Sequence, residues 1–558
     1  MPTIKISRRR LSKLISKDLG DEMLSKLFSE MGASLEGIND EDINVEAFAN
    51  RPDLLSSVGI ARAIRYFLSI DKSLRNYLVK TPDFKKINYV VRVDKNVSRV
   101  RPFTVCAIAK GICFDDDLIK EIIQIQEMLH ITFGRKRKKM AIGIYPLEKI
   151  SLPISYLGEK PKDIIFRPLE SPEPMNALEL LEKHPTGREY AKLLEGKNIF
   201  PCFRDALGNV LSVPPIINSD DTGRITKDTR DVFIECSGFN LDYLKAGLNI
   251  IACALIDTGA TIYQMKIIYP DFEVVTPDLS YREFGLDIPY AQKVLGIEIN
   301  EATAKSALLK MGIGFDRKNK KAIIPPYRFD ILSQIDLVED VAIGIGYDNI
   351  PEKIADIYTE SSEENSSKIS NMIREILVGA GFIEVKNYSL IGGKDIKLSR
   401  IGMENIIEIE NPNTIDYNFM RKRLRPSIFI TLAQNKTREF PQSIFEIGRC
   451  FEKAMEKEKI REYERLGCAI SSKNSDFTKI RQVLDVLFAE LNLEFSLVES
   501  TEEGFIKGRV GKITFCEKEI GVIGEFEPEV ILGYGLEMPT SFFEIDLEPL
   551  FDAIKGRS

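Results

Sequence analysis

The sequence predicts an α+β multidomain protein. Three observations carry that prediction. The chain has 558 residues, and at roughly 150 residues per domain this suits three or four domains. Strand-like and helix-like runs alternate irregularly, with no tandem repeat. A polar stretch, YTESSEENSSK at 358–368, reads as a linker, and strand signals dominate beyond it.

The elements follow in order. Residues 21–31, DEMLSKLFSEM, place Met23, Leu24, Leu27, Phe28 and Met31 on one helical face, with Gly32 as a stop. Pro52 suits the first turn of a helix through Val58, Ala61, Ile64, Arg65 and Tyr66. Residues 1–85 are expected to form a mixed α+β unit. Residues 86–271 are expected to form an α/β domain. Its strands are YVVRV, FTVCAIA, MAIGIY and VFIEC, and its main helices are DDDLIKEIIQIQEMLHITFG and NLDYLKAGLNIIACALIDTGATI. Residues 272–356 read as a small helix-rich α+β domain, running from FEVVTP through AQKVLG and EATAKSALLKMG to IDLVEDVAIGIGYDNIP. Residues 357–558 open with the helix ISNMIREILVGAG. The strand signals FIEVKNYSL, NIIEIEN, SIFEIG, LGCAISS, RVGKITF, EIGVIGEF and SFFEIDL follow, for a largely antiparallel sheet.

Composition narrows the chemistry. Hydrophobic residues make up 44% and charged residues 29%, which suits a core-forming protein. No apolar run reaches the roughly 20 residues of a membrane span. The start, MPTIKISRRRLSKLI, lacks the apolar stretch of a secretion signal, so a cytoplasmic location is expected. The eight cysteines are scattered and there are only two histidines, which argues against a zinc site and a disulfide framework. Net charge is −7, so a polyanion would be held by local basic patches such as GRKRKK at 134–139. Walker A, HExxH, GxSxG and Rossmann signatures are missing.

Two segments stand out. RFDILSQIDLVED at 328–340 gathers Asp330, Asp336, Glu339 and Asp340, with Arg328 at its edge. The last three acids share one helical face. At about 5 Å and an effective dielectric of 20, each pair repels by roughly 3 kcal/mol. Spacing leaves two readings: a solvated helix start that complements the macrodipole, or a hard-cation site, for which magnesium fits the oxygen donors. The second segment is PPIINSDDTGRITKDTRDVFIECSG at 214–238, a polar loop running into an apolar strand. Its polar candidates include Asn218, Asp220, Thr226, Thr229, Arg230 and Glu235, and Glu235 lies inside the apolar run. By itself this reads first as an ordinary turn with a strand glutamate facing solvent, and second as a site.

Five long stretches, in order, carry a family resemblance. They are NRPDLLSSVGIARAI, QEMLHITFGRKRKKMAIGIYPLEKI, the 214–238 segment, PPYRFDILSQIDLVEDVAIGIGYDNIP and NPNTIDYNFMRKRLRPSIFITLAQNKTREFPQSIFEIGRCF. Over essentially its whole length the chain resembles the beta subunit of phenylalanyl-tRNA synthetase, archaeal/eukaryotic type. The resemblance implies a complex of two alpha and two beta chains that uses ATP to attach phenylalanine to tRNA(Phe), with the ligation site on alpha. It implies an editing domain at 86–271 that hydrolyses mischarged tyrosyl-tRNA(Phe). Glu235 would select the tyrosine hydroxyl, and Asn218, Asp220, Thr229 and Arg230 would line the pocket. His130 is a weak candidate to activate water.

The resemblance also implies magnesium at Asp330, Asp336, Glu339 and Asp340, in a site shared with the alpha subunit. Residues 357–558 would be a class II synthetase-like, pseudo-catalytic antiparallel-sheet domain. No residue of this chain is then catalytic for ligation. In FEIGRCFEK, Glu452 follows Phe451 where a working motif places arginine, and a charge reversal there opposes triphosphate binding. The charged residues of GVIGEFEPEVILGYGLEMP are all glutamates. Two other functions fit the same motifs: a free-standing deacylase of misacylated tRNA, and a non-catalytic scaffold.

Overall fold

The computed structural model describes residues 3–48, 50–355, 358–454 and 459–555. The chain divides into two compact units, Met1–Ile354 and Ala355–Ser558. The boundary expected between 356 and 357 falls outside the described residues.

In the first unit, Thr3–Ser7, Asp42–Glu46 and Ser34–Ile38 form an antiparallel three-stranded sheet with Asp42–Glu46 in the middle. The helix Asp21–Glu30 ends as its sequence signals, before Gly32 in the left-handed region at φ 74°. The turn at Pro52 differs from expectation. Pro52–Leu54 is a separate short 3-10 turn, and the helix begins at Ser57. The Ser56 side chain accepts from the Gly59 backbone N–H, and this cap starts the helix.

An eleven-stranded sheet occupies the middle of the unit. Its central strands are Thr261–Ile268, Phe103–Lys110 and Val232–Gly238, and Met140–Pro146 closes one edge. The helices Asp116–Ile131 and Leu241–Asp257 contribute Leu118, Ile122, Leu244 and Leu248 to a core shared with Val105, Ile142 and Ile234 of the strands. In the next core, Cys106, Ile108, Tyr145, Tyr156, Phe203 and Phe233 pack together. The register puts Glu235 opposite Cys106 on one side and opposite Gly143 on the other.

Beyond this sheet, Arg282–Gly285, Lys321–Ile324 and Gly314–Asp316 make a small antiparallel sheet. The helices Ile288–Leu295, Glu301–Lys310 and Gln334–Ile345 enclose its core, in which Leu308, Ile324, Leu337, Val338 and Val341 are buried. Among the described residues, no helix is long and apolar enough to cross a membrane.

The second unit holds a seven-stranded sheet in the order Ile383–Glu384, Gln442–Lys453, Ile460–Ser471, Thr540–Asp546, Lys518–Phe526, Phe505–Phe515, Ser496–Glu499. Only its first pair is parallel. Asn365–Gly379, Phe477–Glu490 and Glu548–Lys555 share one core with the sheet, and Arg425–Gln434 shares another. Two expected strands fail. NIIEIEN forms only an isolated bridge from Glu408 to Phe419, and FIEVKNYSL yields two-residue strands. Apolar alternation marks a strand only where a neighbour completes its ladder.

Candidate functional site

The strand Val232–Gly238 is buried at every position, so Glu235 cannot reach solvent as a strand glutamate normally does. Its partner across the ladder is glycine. A Cβ at position 143 would lie 2.6 Å from Glu235 Oε1 and 2.2 Å from the Tyr145 hydroxyl. Glycine there leaves room for the carboxyl beside the edge strand. Glu235 Oε1 accepts from the Tyr145 hydroxyl at 3.2 Å. That hydroxyl lies 2.8 Å from Ser212 Oγ and 3.2 Å from Asn218 Oδ1. Glu235 Oε2 is buried and has no hydrogen-bond partner among the described residues. Glu235, Ser212, Asn218 and His130 line one cavity of about 860 Å³. The residue is 2% exposed.

Burial raises the Glu235 pKa to about 8, against the opposing charge of Arg101 and the hydrogen bond from Tyr145. The carboxyl is therefore largely protonated at neutral pH. A folded-state pKa above the ordinary value gives stability that is fully present below about 4.5 and lost as pH rises through about 8. Relative to wild type, Glu235→Gln is expected to lose this dependence. Urea denaturation at pH 6 and pH 8.5 checks it: the variant should gain on wild type at the higher pH, and equal differences at both would refute the protonated state.

The other expected pocket residues separate. Asn218 lies on the cavity, and Asp220, Thr229 and Arg230 are not among its lining residues. Each has local partners. Asp220 pairs with Arg224 at 2.7 Å and Arg167 at 3.1 Å. Thr229 Oγ1 accepts from the Thr226 N–H. Arg230 donates to the Lys227 and Thr229 carbonyls. His130 is on the cavity and unsuited to activate water. The Ile142 backbone N–H donates to its Nε2 at 2.8 Å, so its proton sits on Nδ1, 3.2 Å from Glu127 Oε1. The one lone pair of a neutral imidazole is thus already engaged. Burial lowers the His130 pKa further.

Sequence reading missed Arg137. It lies within GRKRKK but turns inward. Its guanidinium donates to Glu127 and to the Pro215 and Ile216 carbonyls, and stacks 4.4 Å from the Tyr190 ring centroid. Arg135, Lys136 and Arg137 are all left-handed, with φ of 48°, 51° and 62°. Each costs about 1–2 kcal/mol relative to a right-handed conformation. A basic run carries no signal that one of its members faces the protein.

The acidic cluster is organised by Arg328, which is central to it and not at its edge. Arg328 is 1% exposed. It donates to Asp330 Oδ2 at 2.7 Å, to Asp340 Oδ2 at 2.6 Å and to the Met311 carbonyl at 3.1 Å. Asp336 Oδ2 accepts from the Leu332 and Ser333 N–H groups, part of a capping box at the start of Gln334–Ile345. Glu339 is exposed. Among the described residues, no group of three or more His, Cys, Asp or Glu is placed to hold a metal ion. The four carboxylates of this chain alone do not fit magnesium: two are ion-paired to one guanidinium and one is a helix cap. An internal cation relieves the repulsion that made an ion attractive.

Three family models match separate parts of the chain. They are the Phe-tRNA synthetase beta subunit B1 domain at 1–70, the tRNA synthetase B5 domain at 284–347, and the phenylalanyl tRNA synthetase beta chain CLM domain at 350–547. The phenylalanine–tRNA ligase beta subunit of Pyrococcus horikoshii is 36% identical over 562 residues, covering 99% of this chain and 100% of the relative. The chain belongs to the phenylalanine–tRNA ligase beta-subunit family. The Archaeoglobus fulgidus beta subunit is likewise 36% identical, covering 99% of each chain. A crystal structure of an N-terminal fragment of the Pyrococcus horikoshii beta subunit is 38% identical with a TM-score of 0.58. It covers 62% of this chain and 99% of the fragment.

Members of the phenylalanine–tRNA ligase beta-subunit family are one chain of a ligase, and the acidic cluster lies in the B5 match. The CLM match spans the seven-stranded sheet. Leu424, Ile428, Phe429 and Leu432 pack against Cys450, Tyr463, Val522 and Phe542 of that sheet. Arg421 pairs with Glu446 at 2.7 Å, both fully buried. Glu452, expected to oppose ATP, lies 3.5 Å from Arg461. This sheet face is filled by the protein's own side chains.

Proposed function

We propose that the chain works with an alpha subunit, two of each, in a cytoplasmic synthetase that uses ATP to attach phenylalanine to tRNA(Phe). Residues 86–271 hydrolyse tyrosine wrongly attached to that tRNA. One observation carries the hydrolytic reading: Glu235 Oε2 is buried and unpartnered at a cavity large enough for an aromatic amino acid ester. Tyrosine differs from phenylalanine by one hydroxyl, which an apolar ligation pocket rejects only weakly. A buried carboxyl oxygen left unpaired favours the amino acid that brings a hydroxyl and disfavours the one that does not. With His130 engaged, no histidine on the cavity is free to activate water, and a ribose hydroxyl of the substrate itself is the suitable group.

The filled sheet face of the second unit supports a subunit role over a free-standing deacylase, because hydrolysis needs no such domain. Ligation chemistry then belongs to the alpha chain. For magnesium, Asp336 and Glu339 are the available half of a site completed by the partner, while Asp330 and Asp340 hold the segment through Arg328. The expected result is that Asp336→Ala with Glu339→Ala raises the magnesium concentration needed to assemble the complex, measured by light scattering of co-expressed chains. Assembly at wild-type magnesium would leave Asp336 as a helix cap alone. Co-expression also tests the main reading: charging with phenylalanine is expected only when the alpha chain is present, and a chain active by itself would sink it.

A further inference from the structure

We propose that the turn at 134–139, with Phe239 beside it, docks the single-stranded end of an RNA whose terminal ester enters the cavity. This rests on the hydrolytic reading above. The turn is built to present charge. Arg137 is spent inward on Glu127 and two carbonyls, and Arg101 donates to the Arg137 carbonyl. Three successive left-handed residues then turn Arg135, Lys136, Lys138 and Lys139 to the surface, where all four are exposed. No carboxylate among the described residues pairs with these four. Backbone held in a sparsely populated conformation points to function when the surroundings over-determine it, as they do here.

The position matches a ligand entering the cavity. Arg137 of the turn lines the cavity together with Glu127 and His130 of the adjoining helix, so the four exposed cations flank a wall residue. An aromatic surface lies alongside. Gly238 is the ladder partner of Met140, which follows the turn, and the next residue, Phe239, is 53% exposed. The Arg101 guanidinium lies 5.4 Å from the Phe239 ring centroid and supports it from the protein side. Cations without carboxylate partners beside an exposed ring, Lys139 lying 5.4 Å from the Tyr243 ring centroid, suit a single strand, with phosphates on the cations and a base on the ring. A protein partner would be expected to bury a larger apolar patch than one ring.

The test uses the complex with its alpha subunit and two substrates, tyrosyl-tRNA(Phe) and 3′-O-tyrosyladenosine, which lacks phosphates. Three variants are needed. One is neutral (Arg135→Gln, Lys136→Gln, Lys138→Gln, Lys139→Gln). One conserves charge (Lys136→Arg, Lys138→Arg, Lys139→Arg). The third is Phe239→Ala. The neutral variant is expected to raise KM for tyrosyl-tRNA about tenfold or more, with kcat within about twofold. Its dependence of log kcat/KM on log salt should be shallower by about two to three, at roughly 0.7 per lost phosphate contact. The charge-conserving variant should stay near wild type, Phe239→Ala should raise KM, and the truncated ester should be cleaved equally by all. A neutral variant with wild-type KM, or a charge-conserving one as impaired as the neutral, overturns the docking surface and leaves the hydrolytic reading standing. Loss of alpha-subunit binding in the neutral variant also overturns it, in favour of a protein interface. A wild-type complex that spares tyrosyl-tRNA removes the hydrolytic reading, and this inference with it.

Discussion

Replacing Arg328 with leucine is expected to destabilise the first unit by about 3–5 kcal/mol, the usual cost of removing one partner from a buried ion pair. Arg328 is fully buried and serves two carboxylates at once, Asp330 and Asp340, with side chains 9% and 6% exposed. Without it both acids remain in a low-dielectric site without their hydrogen-bonded cation, with Arg51 acting on them only through space, and the Met311 carbonyl loses its donor. The charges of Asp340 and Asp330 hold the Arg328 pKa well above its ordinary value despite burial, so the guanidinium stays charged throughout the accessible pH range. Guanidinium chloride denaturation of the full chain checks the expectation. A loss below about 1 kcal/mol would mean that the acids protonate or reach water at little cost. Pairing Arg328→Leu with Asp340→Leu should recover part of the loss, because apolar side chains of similar volume replace buried pairs well.

Removing the Glu235 carboxyl is expected to lower kcat/KM for tyrosyl-tRNA(Phe) hydrolysis about 10- to 100-fold, from the roughly 1–3 kcal/mol of leaving the tyrosine hydroxyl buried without a partner. The partner atom is Oε2, since Oε1 already accepts from Tyr145. Glu235→Gln keeps the acceptor for Tyr145 and a donor in place of the protonated Oε2, and should lose less than Glu235→Ala. Deacylation by the complex in single turnover is the measurement. Unchanged hydrolysis in Glu235→Ala would remove this residue from recognition and the 860 Å³ cavity from the editing role.

Much of the fold was legible because it rests on local rules. Helical faces of Leu and Ile, glycine stops and β-branched runs located the helices at 116–131, 241–257 and 334–345 and the strands around Glu235. The misses were of two kinds. NIIEIEN has strand alternation but gains only an isolated bridge. Pro52 has the chemistry of a helix start, yet Ser56 caps the helix four residues on. Either choice satisfies local preference, and neighbouring chain decides between them.

The candidate site divides the same way. A lone glutamate in an apolar strand was visible as an anomaly, and so was a crowd of acids near one arginine. Residue type and spacing marked both as needing an explanation. Folding supplied it. Gly143 and Glu235 are far apart along the chain and meet through ladder register, which gives the carboxyl its space and leaves one oxygen open. Arg328 precedes its acids in sequence, but its side chain folds into their midst and turns mutual repulsion into an ion-paired core. Arg137 leaves a basic run to brace the cavity wall. Spacing specifies which residues share a local face. It does not specify which way a long charged side chain turns, because that depends on carboxylates and carbonyls that folding brings from elsewhere.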